Sequence, residues 1–188
     1  MARKERSSKG KVMKPNFFVF CEGDTEVAYT LMLRAYYRLP IHIIPKKTLL
    51  NITPSLVNRC EADYVQTRND RTYLMYDLDV ESMLERLKKV TNATLLCSNP
   101  CFELWLLLHY EDIMARLTSD DCLSRLLATT RQYKKGIITN EMKKYLMENV
   151  TIATNRAKSL VAYQNPSTTV YQLIEDLKRL KSESNKAL

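Results

Sequence analysis

The stretch Phe17-Phe18-Val19-Phe20-Cys21-Glu22-Gly23-Asp24-Thr25-Glu26 decides how the chain is read. A short continuous apolar run that stops at a glycine reads as a buried strand, and the helix-like pattern behind it reads as a crossover. Residues 17–21 are then a central parallel strand with Glu22 at its carboxyl end, the edge where open α/β sheets place their chemistry. Gly23 lets a metal or phosphate approach the backbone closely. Asp24 is placed to cap the following helix, and Glu26 falls in its first turn. Helix cap and dipole partner is the plainer reading of these acids.

The pattern of the first strand and helix recurs downstream. A helix is expected over 25–38, with Val27, Leu31, Leu33 and Tyr36 among helix formers. Ile41–Ile44 reads as a second strand closed by Pro45, with Lys46 and Lys47 at its end. Thr53-Pro54 is a helix start that should run to about Arg68. Thr72–Tyr76 reads as a third strand ending in Asp77-Leu78-Asp79, followed by a helix over 81–90 and a fourth strand over 93–97. Four strand–helix alternations predict a small parallel sheet with right-handed crossovers.

Past Ser98 the pattern is helical. Asn99-Pro100 opens a helix apolar all round, hence buried. Further helices are expected over 119–131, 140–148, 151–163 and 168–181. In the last, Val170, Leu173, Ile174, Leu177 and Leu180 form a stripe that packs on the sheet or, alternatively, makes a dimer contact. The resulting division is a disordered basic arm (1–15), an α/β core (16–110), a helical extension packed on it (111–182) and a frayed tail (183–188).

Composition narrows the function. With 29 Lys and Arg against 21 Asp and Glu, the net charge is +8. Arg3, Lys4, Arg6, Lys9, Lys11 and Lys14 concentrate positive charge in the arm, which suits a phosphate backbone or simple solvation. No run of about 18 apolar residues is present, so no transmembrane helix is expected. With no apolar signal segment near the start either, a cytoplasmic chain is expected. The five cysteines are scattered and the two histidines, His42 and His109, lie far apart, which disfavours a zinc site and a hydrolase triad.

Asp77 and Asp79 stand two apart at a strand end, where period-two alternation points both to one side. If strands 17–21 and 72–76 are neighbours, Glu22 joins them. Acids so grouped repel one another unless a hard cation, Mg²⁺ or Mn²⁺, sits between them. Glu103, in the first turn of an apolar helix, needs a partner: the metal cluster, a basic side chain or free backbone N–H groups. Arg131, Lys134 and Lys135, with Tyr133 offering a ring for stacking, form a basic cluster. Together with Lys46 and Lys47 it is either a phosphate-binding surface or a solvated one.

Glu22–Glu26 followed by Asp77-Leu78-Asp79 resembles the signature of Toprim domains, the metal-binding module of topoisomerases, primases and OLD-type nucleases. Ser98-Asn99-Pro100-Cys101-Phe102-Glu103-Leu104-Trp105-Leu106-Leu107-Leu108-His109-Tyr110 and Asn165-Pro166-Ser167-Thr168-Thr169-Val170 resemble the RloB-like family. The resemblance covers about residues 16–180. It implies a Toprim-like Rossmannoid sheet, a Mg²⁺- or Mn²⁺-dependent nuclease acting on DNA or on tRNA or other RNA, and a role in anti-phage defence beside an ATPase partner. Glu22, Asp77 and Asp79 would hold the metal, with Glu22 alternatively the general acid/base. Glu26 would ligate a second ion or complement its helix N-terminus. Leu78 departs from the polar or basic residue expected between the aspartates and removes a phosphate contact. A non-catalytic effector that binds nucleic acid or nucleotide and docks the ATPase is the alternative reading.

Overall fold

The computed structural model describes residues 14–39, 42–48, 51–131 and 133–186. Most of the expected basic arm, Ile41 and the last two residues lie outside the described residues. Among the described residues one five-stranded sheet forms, in the order β2-β1-β3-β4-β5, from β1 (Asn16–Cys21), β2 (His42–Lys47), β3 (Arg71–Asp77), β4 (Ala93–Asn99) and β5 (Ser167–Thr168). The first four are parallel, as a doubly covered α/β sheet requires, and the architecture is Rossmann-like. β5 is an antiparallel addition that no local pattern announces, since two residues carry no periodicity.

Alternation explains why the first strand is apolar throughout. Phe17, Val19 and Cys21 face one core while Phe18 and Phe20 face the other. On β3, Tyr73 and Met75 join the first core, and Leu74 and Tyr76 the second. The larger core lies under α1 (Asp24–Tyr37), α4 (Glu103–Leu107), α5 (Ser119–Thr129), α6 (Asn140–Ser159) and α7 (Tyr171–Lys186). The smaller one lies under α2 (Pro54–Ala62) and α3 (Met83–Leu87). The helical half therefore shares its apolar interior with the sheet. Val170, Leu173, Ile174 and Leu177 are completely buried in it, so that stripe is occupied within the chain.

Several boundaries differ from the sequence reading. β2 continues through Pro45 to Lys47 instead of stopping at Ile44; it is the sheet's edge, where a missing N–H is tolerated. α2 is capped by Thr53 as expected but ends at Ala62, not near Arg68. The following segment is held by the sheet: Asn16 Nδ2 donates to the Val65 carbonyl at 2.9 Å, and Asp70 accepts the Thr67 N–H at 3.0 Å. α3 is shorter than 81–90 because tight turns flank its one α-helical turn, with Val90 N–H donating to the Leu87 carbonyl. The two helices expected over 140–148 and 151–163 are one, since neither Gly nor Pro interrupts 140–159 and the Thr154 hydroxyl bonds within the helix to the Val150 carbonyl. α7 persists to Lys186 where a frayed tail is expected, because residues 181–186 contain no helix breaker.

The two stretches that carry the family resemblance meet in space. Ser98 and Asn99 pair with Thr168 and Ser167, and the Ser98 and Thr168 hydroxyls share a 2.9 Å hydrogen bond. The Thr169 hydroxyl accepts the Cys97 N–H and donates to the Leu95 carbonyl. No helix among the described residues is long and apolar enough to cross a membrane.

Candidate functional site

β1 and β3 are adjacent and in register from Phe17↔Arg71 to Cys21↔Met75, so their carboxyl ends deliver Glu22 and Asp77 side by side. The Glu22 N–H continues the ladder to the Met75 carbonyl at 3.1 Å. Its side chain then turns across the strand end, and Oε2 accepts the Asp77 N–H at 3.0 Å. A cavity of about 350 Å³ opens here, lined by Glu22–Glu26, Lys47, Asp77, Phe102, Glu103 and Lys135. Five carboxylates thus face two ammonium groups.

Gly23 begins α1 in an extended conformation that any residue adopts, so its value is lateral. A Cβ there would stand 2.9 Å from Glu26 Oε2. The space expected to admit a metal or phosphate is taken by Glu26, whose carboxylate folds back onto the N–H groups of Gly23 and of Glu26 itself. Asp24 does not cap the helix. It is the first helical residue, and its carboxylate pairs with Lys47 Nζ at 2.7 Å.

Glu103 opens α4 and is 4% exposed. Of the partners weighed for it, the structure supplies a basic one and one not anticipated. Lys135 Nζ lies 3.9 Å away, and the Tyr133 hydroxyl donates to Oε1 at 2.7 Å. Tyr133 is buried, so its ring offers no stacking face; burial lets its hydroxyl orient the acid instead. The same loop is fastened to α1 by the Gly136 N–H, which donates to Thr25 Oγ1 at 2.9 Å. Gly136 has φ +78°, which favours glycine, and a Cβ there would meet Asp24 Cβ at 3.0 Å.

Glu22, Glu26 and Asp77 hold their protons more tightly than ordinary carboxylates. Burial raises Glu26 to about 7, helped by repulsion from Glu103 and Glu22. Burial also raises Glu22, with the Asp77 N–H opposing and Asp79 adding repulsion. Asp77 is pushed well above the usual carboxylate range by burial and then by Glu26, Glu22, Glu103 and Asp79. Its Oδ1 is sealed from solvent without a hydrogen-bond partner. Such an atom costs on the order of 1–3 kcal/mol when left unsatisfied.

The other predicted residues divide. β3 ends at Asp77, so strand alternation stops there and does not carry Asp79 to the same place. Asp79 lines a neighbouring cavity of about 570 Å³. Lys47 and Lys135 face the acidic cavity. Lys46 instead lies over the Tyr64 ring at 5.2 Å, Arg131 lines a separate depression beside Tyr110 and Tyr145, and Lys134 is exposed, its backbone bridging to Ile137. The basic cluster is therefore split, because successive residues of a loop point in different directions. Tyr133, Thr25 and Gly136 escape sequence reading. One signal was present: the chain has three glycines, and two of them, Gly23 and Gly136, flank the site.

The model of RloB-like proteins matches residues 17–177. The chain belongs to the RloB-like family. The match takes in β1, both strand-end acids and the paired β4–β5 blocks, so the cavity of this RloB-like chain lies wholly within the shared region. No curated protein and no solved structure matches the chain.

The donor set suits a hard cation in chemistry, being all oxygen with one buried atom unpartnered. In spacing it is open: among the described residues no three Asp, Glu, His or Cys side chains are grouped closely enough to hold a metal ion together.

Proposed function

We propose that this RloB-like chain is a metal-dependent phosphodiesterase of Toprim type, cutting DNA or RNA. The orphaned Oδ1 of Asp77, buried beside Glu22 and Glu26, whose carboxyls are likewise raised, carries the reading. A purely structural aspartate at that point would have been given a donor. Glu22 and Asp77 would hold Mg²⁺ or Mn²⁺, with Asp79 drawn in from the adjoining cavity and Glu103 in reserve on the facing helix. Bound there, the ion would supply charge stabilisation at the phosphate and activate water.

The chain's own residues have separable tasks. Glu26, titrating near 7, is suited to accept a proton from water and return it to the leaving oxygen. Lys135 and Lys47 are the ammonium groups that a substrate phosphate would meet on entering the cavity. Tyr133 and the Gly136–Thr25 hydrogen bond keep Glu103 and the loop in place. Phe102 contributes an apolar wall, which strengthens electrostatic interactions inside. A place in anti-phage defence, with activity gated by an ATPase partner, fits the family and remains part of the proposal.

The test pairs binding with cleavage. Mg²⁺ or Mn²⁺ should raise the Tm of the wild type, at saturation of about 100 Kd by the equivalent of about 2.7 kcal/mol. The shift should vanish in Asp77→Asn and Glu22→Gln. Plasmid, single-stranded DNA and total tRNA are then incubated with each metal or with EDTA, alone and with a candidate ATPase partner. Metal-dependent cutting of one substrate, lost in both variants, supports the nuclease. A Tm indifferent to metal, together with no cutting under any condition, sinks it and leaves a nucleic-acid- or nucleotide-binding effector.

A further inference from the structure

The neighbouring cavity that Asp79 lines has a construction the reaction above does not use. Its walls are tied by side chains. Asn165 Oδ1 accepts the Leu117 N–H at 3.0 Å while its Nδ2 donates to the Leu117 carbonyl at 2.7 Å. Asn99, at the end of β4, donates through Nδ2 to the Tyr163 carbonyl at 3.1 Å. Tyr163 is thereby held at φ +67°, a left-handed conformation that a bulky side chain rarely adopts. Such strain persists where the surroundings over-determine it and is concentrated at ligand clamps.

The chemistry of the lining is mixed. Arg116 is exposed at the rim and makes no hydrogen bond or ion pair with any described residue. Glu81 offers a carboxylate beyond Asp79, while Tyr163, Leu84 and Pro100 provide ring and apolar faces. An unengaged guanidinium is a fork for phosphate. Carboxylates accept from sugar hydroxyls or base amino groups, and apolar and aromatic faces hold a base by stacking. The volume of about 570 Å³ lies within the ordinary range of small-ligand sites.

We infer that this cavity is a nucleotide subsite, taking one nucleoside monophosphate unit with its phosphate on Arg116 and its base against Tyr163. It deepens the nuclease reading and rests on it for its role. Asp77 and Asp79 are two residues apart, at most about 7 Å along the chain. A strand with its cut phosphate over Asp77 would therefore reach the cavity within about two nucleotides, at about 3.4 Å per nucleotide of one strand. The subsite selects unpaired strands, because a base held against Tyr163, Leu84 and Pro100 must leave its own stack, which a paired base does not do.

Binding is measured in EDTA by calorimetry, so that no cleavage occurs. The probes are the four nucleoside monophosphates, trinucleotide single strands and a duplex of matched sequence. The proteins are wild type, Arg116→Glu and Val80→Trp, the last placing bulk at an exposed lining position. Single strands should bind wild type, and both cavity variants at least tenfold more weakly. The duplex should be ten times weaker still than the single strand on wild type. Monophosphates that bind with the same sensitivity identify a free nucleotide as sufficient; binding by the trinucleotide alone identifies the strand as the ligand. No binding of either at millimolar concentration, or binding indifferent to Arg116→Glu and Val80→Trp, overturns the subsite. That result leaves metal-dependent cleavage untouched, and a wild type that binds but never cuts breaks the nuclease reading alone.

Discussion

Two aspartates at opposite ends of β3 have opposite environments. Asp70, just before the strand, accepts the backbone and side-chain N–H groups of Asn16 and the backbone N–H and hydroxyl of Thr67. Burial works against its charge, but those donors outweigh it and its pKa is lowered. Asp77, at the far end, has one oxygen with no donor at all, and burial with four neighbouring carboxylates raises its pKa well above normal. One acid is provided with hydrogen bonds and locks the start of the sheet. The other is withheld from them and faces a cavity. The amino edge of the sheet spends its polar groups on stability, whereas the carboxyl edge stores repulsion that only a cation or a proton relieves.

Exchanging the acids for amides should separate these roles. Asp77→Asn is expected to reduce metal-dependent cleavage by about 10³-fold or more. The same change should raise the resistance to urea at neutral pH, because a repelled charge has been removed. A variant that loses both activity and stability would break the contrast and make Asp77 an ordinary structural acid.

Glu26 sharpens it through pH. A carboxyl raised from 4.5 to about 7 on folding keeps its proton in the native state, so stability falls as pH rises from about 4.5 to 7. Glu26→Gln removes that loss. It should be more stable than wild type by about 3 kcal/mol above pH 7 and no different below pH 4, as followed by denaturant titration across that range. Asp70 runs the other way: its lowered pKa stabilises the fold above the unfolded value, and acid erodes that contribution. Asp70→Ala should cost about 2 kcal/mol at pH 7, much less at low pH, and leave cleavage by the folded fraction intact.

Smaller effects lie at the rim. Tyr133→Phe removes the hydroxyl that Glu103 accepts and should cost about 1 kcal/mol, measured by thermal unfolding. Lys47→Gln breaks an exposed pair, with side chains 41% and 68% accessible, and should change stability by less than about 0.5 kcal/mol. Its effect should appear as salt-sensitive weakening of nucleic-acid binding instead.

Local pattern determined a good deal of this molecule. A strand buried on both faces must be apolar throughout, so Phe17–Cys21 could be read directly, as could the parallel alternation that follows it. Glu22 and Asp77 were legible because each ends such a strand, and their meeting needed only that β1 and β3 be neighbours. The burial of α4 followed from its being apolar all round, and periodicity gave the apolar stripe of α7, although not whether the sheet or a second copy covers it. What tertiary structure decided depends on contacts between residues far apart in the chain. β5 exists only because Ser167 and Thr168 find the end of β4. Tyr133 enters the site only because a loop after α5 folds back over α1 and α4, thirty residues beyond the Glu103 it holds. Asp79 leaves the acidic cavity because β3 stops two residues short of it, the last bond to β4 being from the Leu78 N–H to the Ser98 carbonyl. Hydropathy reports which face of an element is buried. It carries no information on which distant donor reaches a given carboxylate, and that difference separates Asp70 from Asp77.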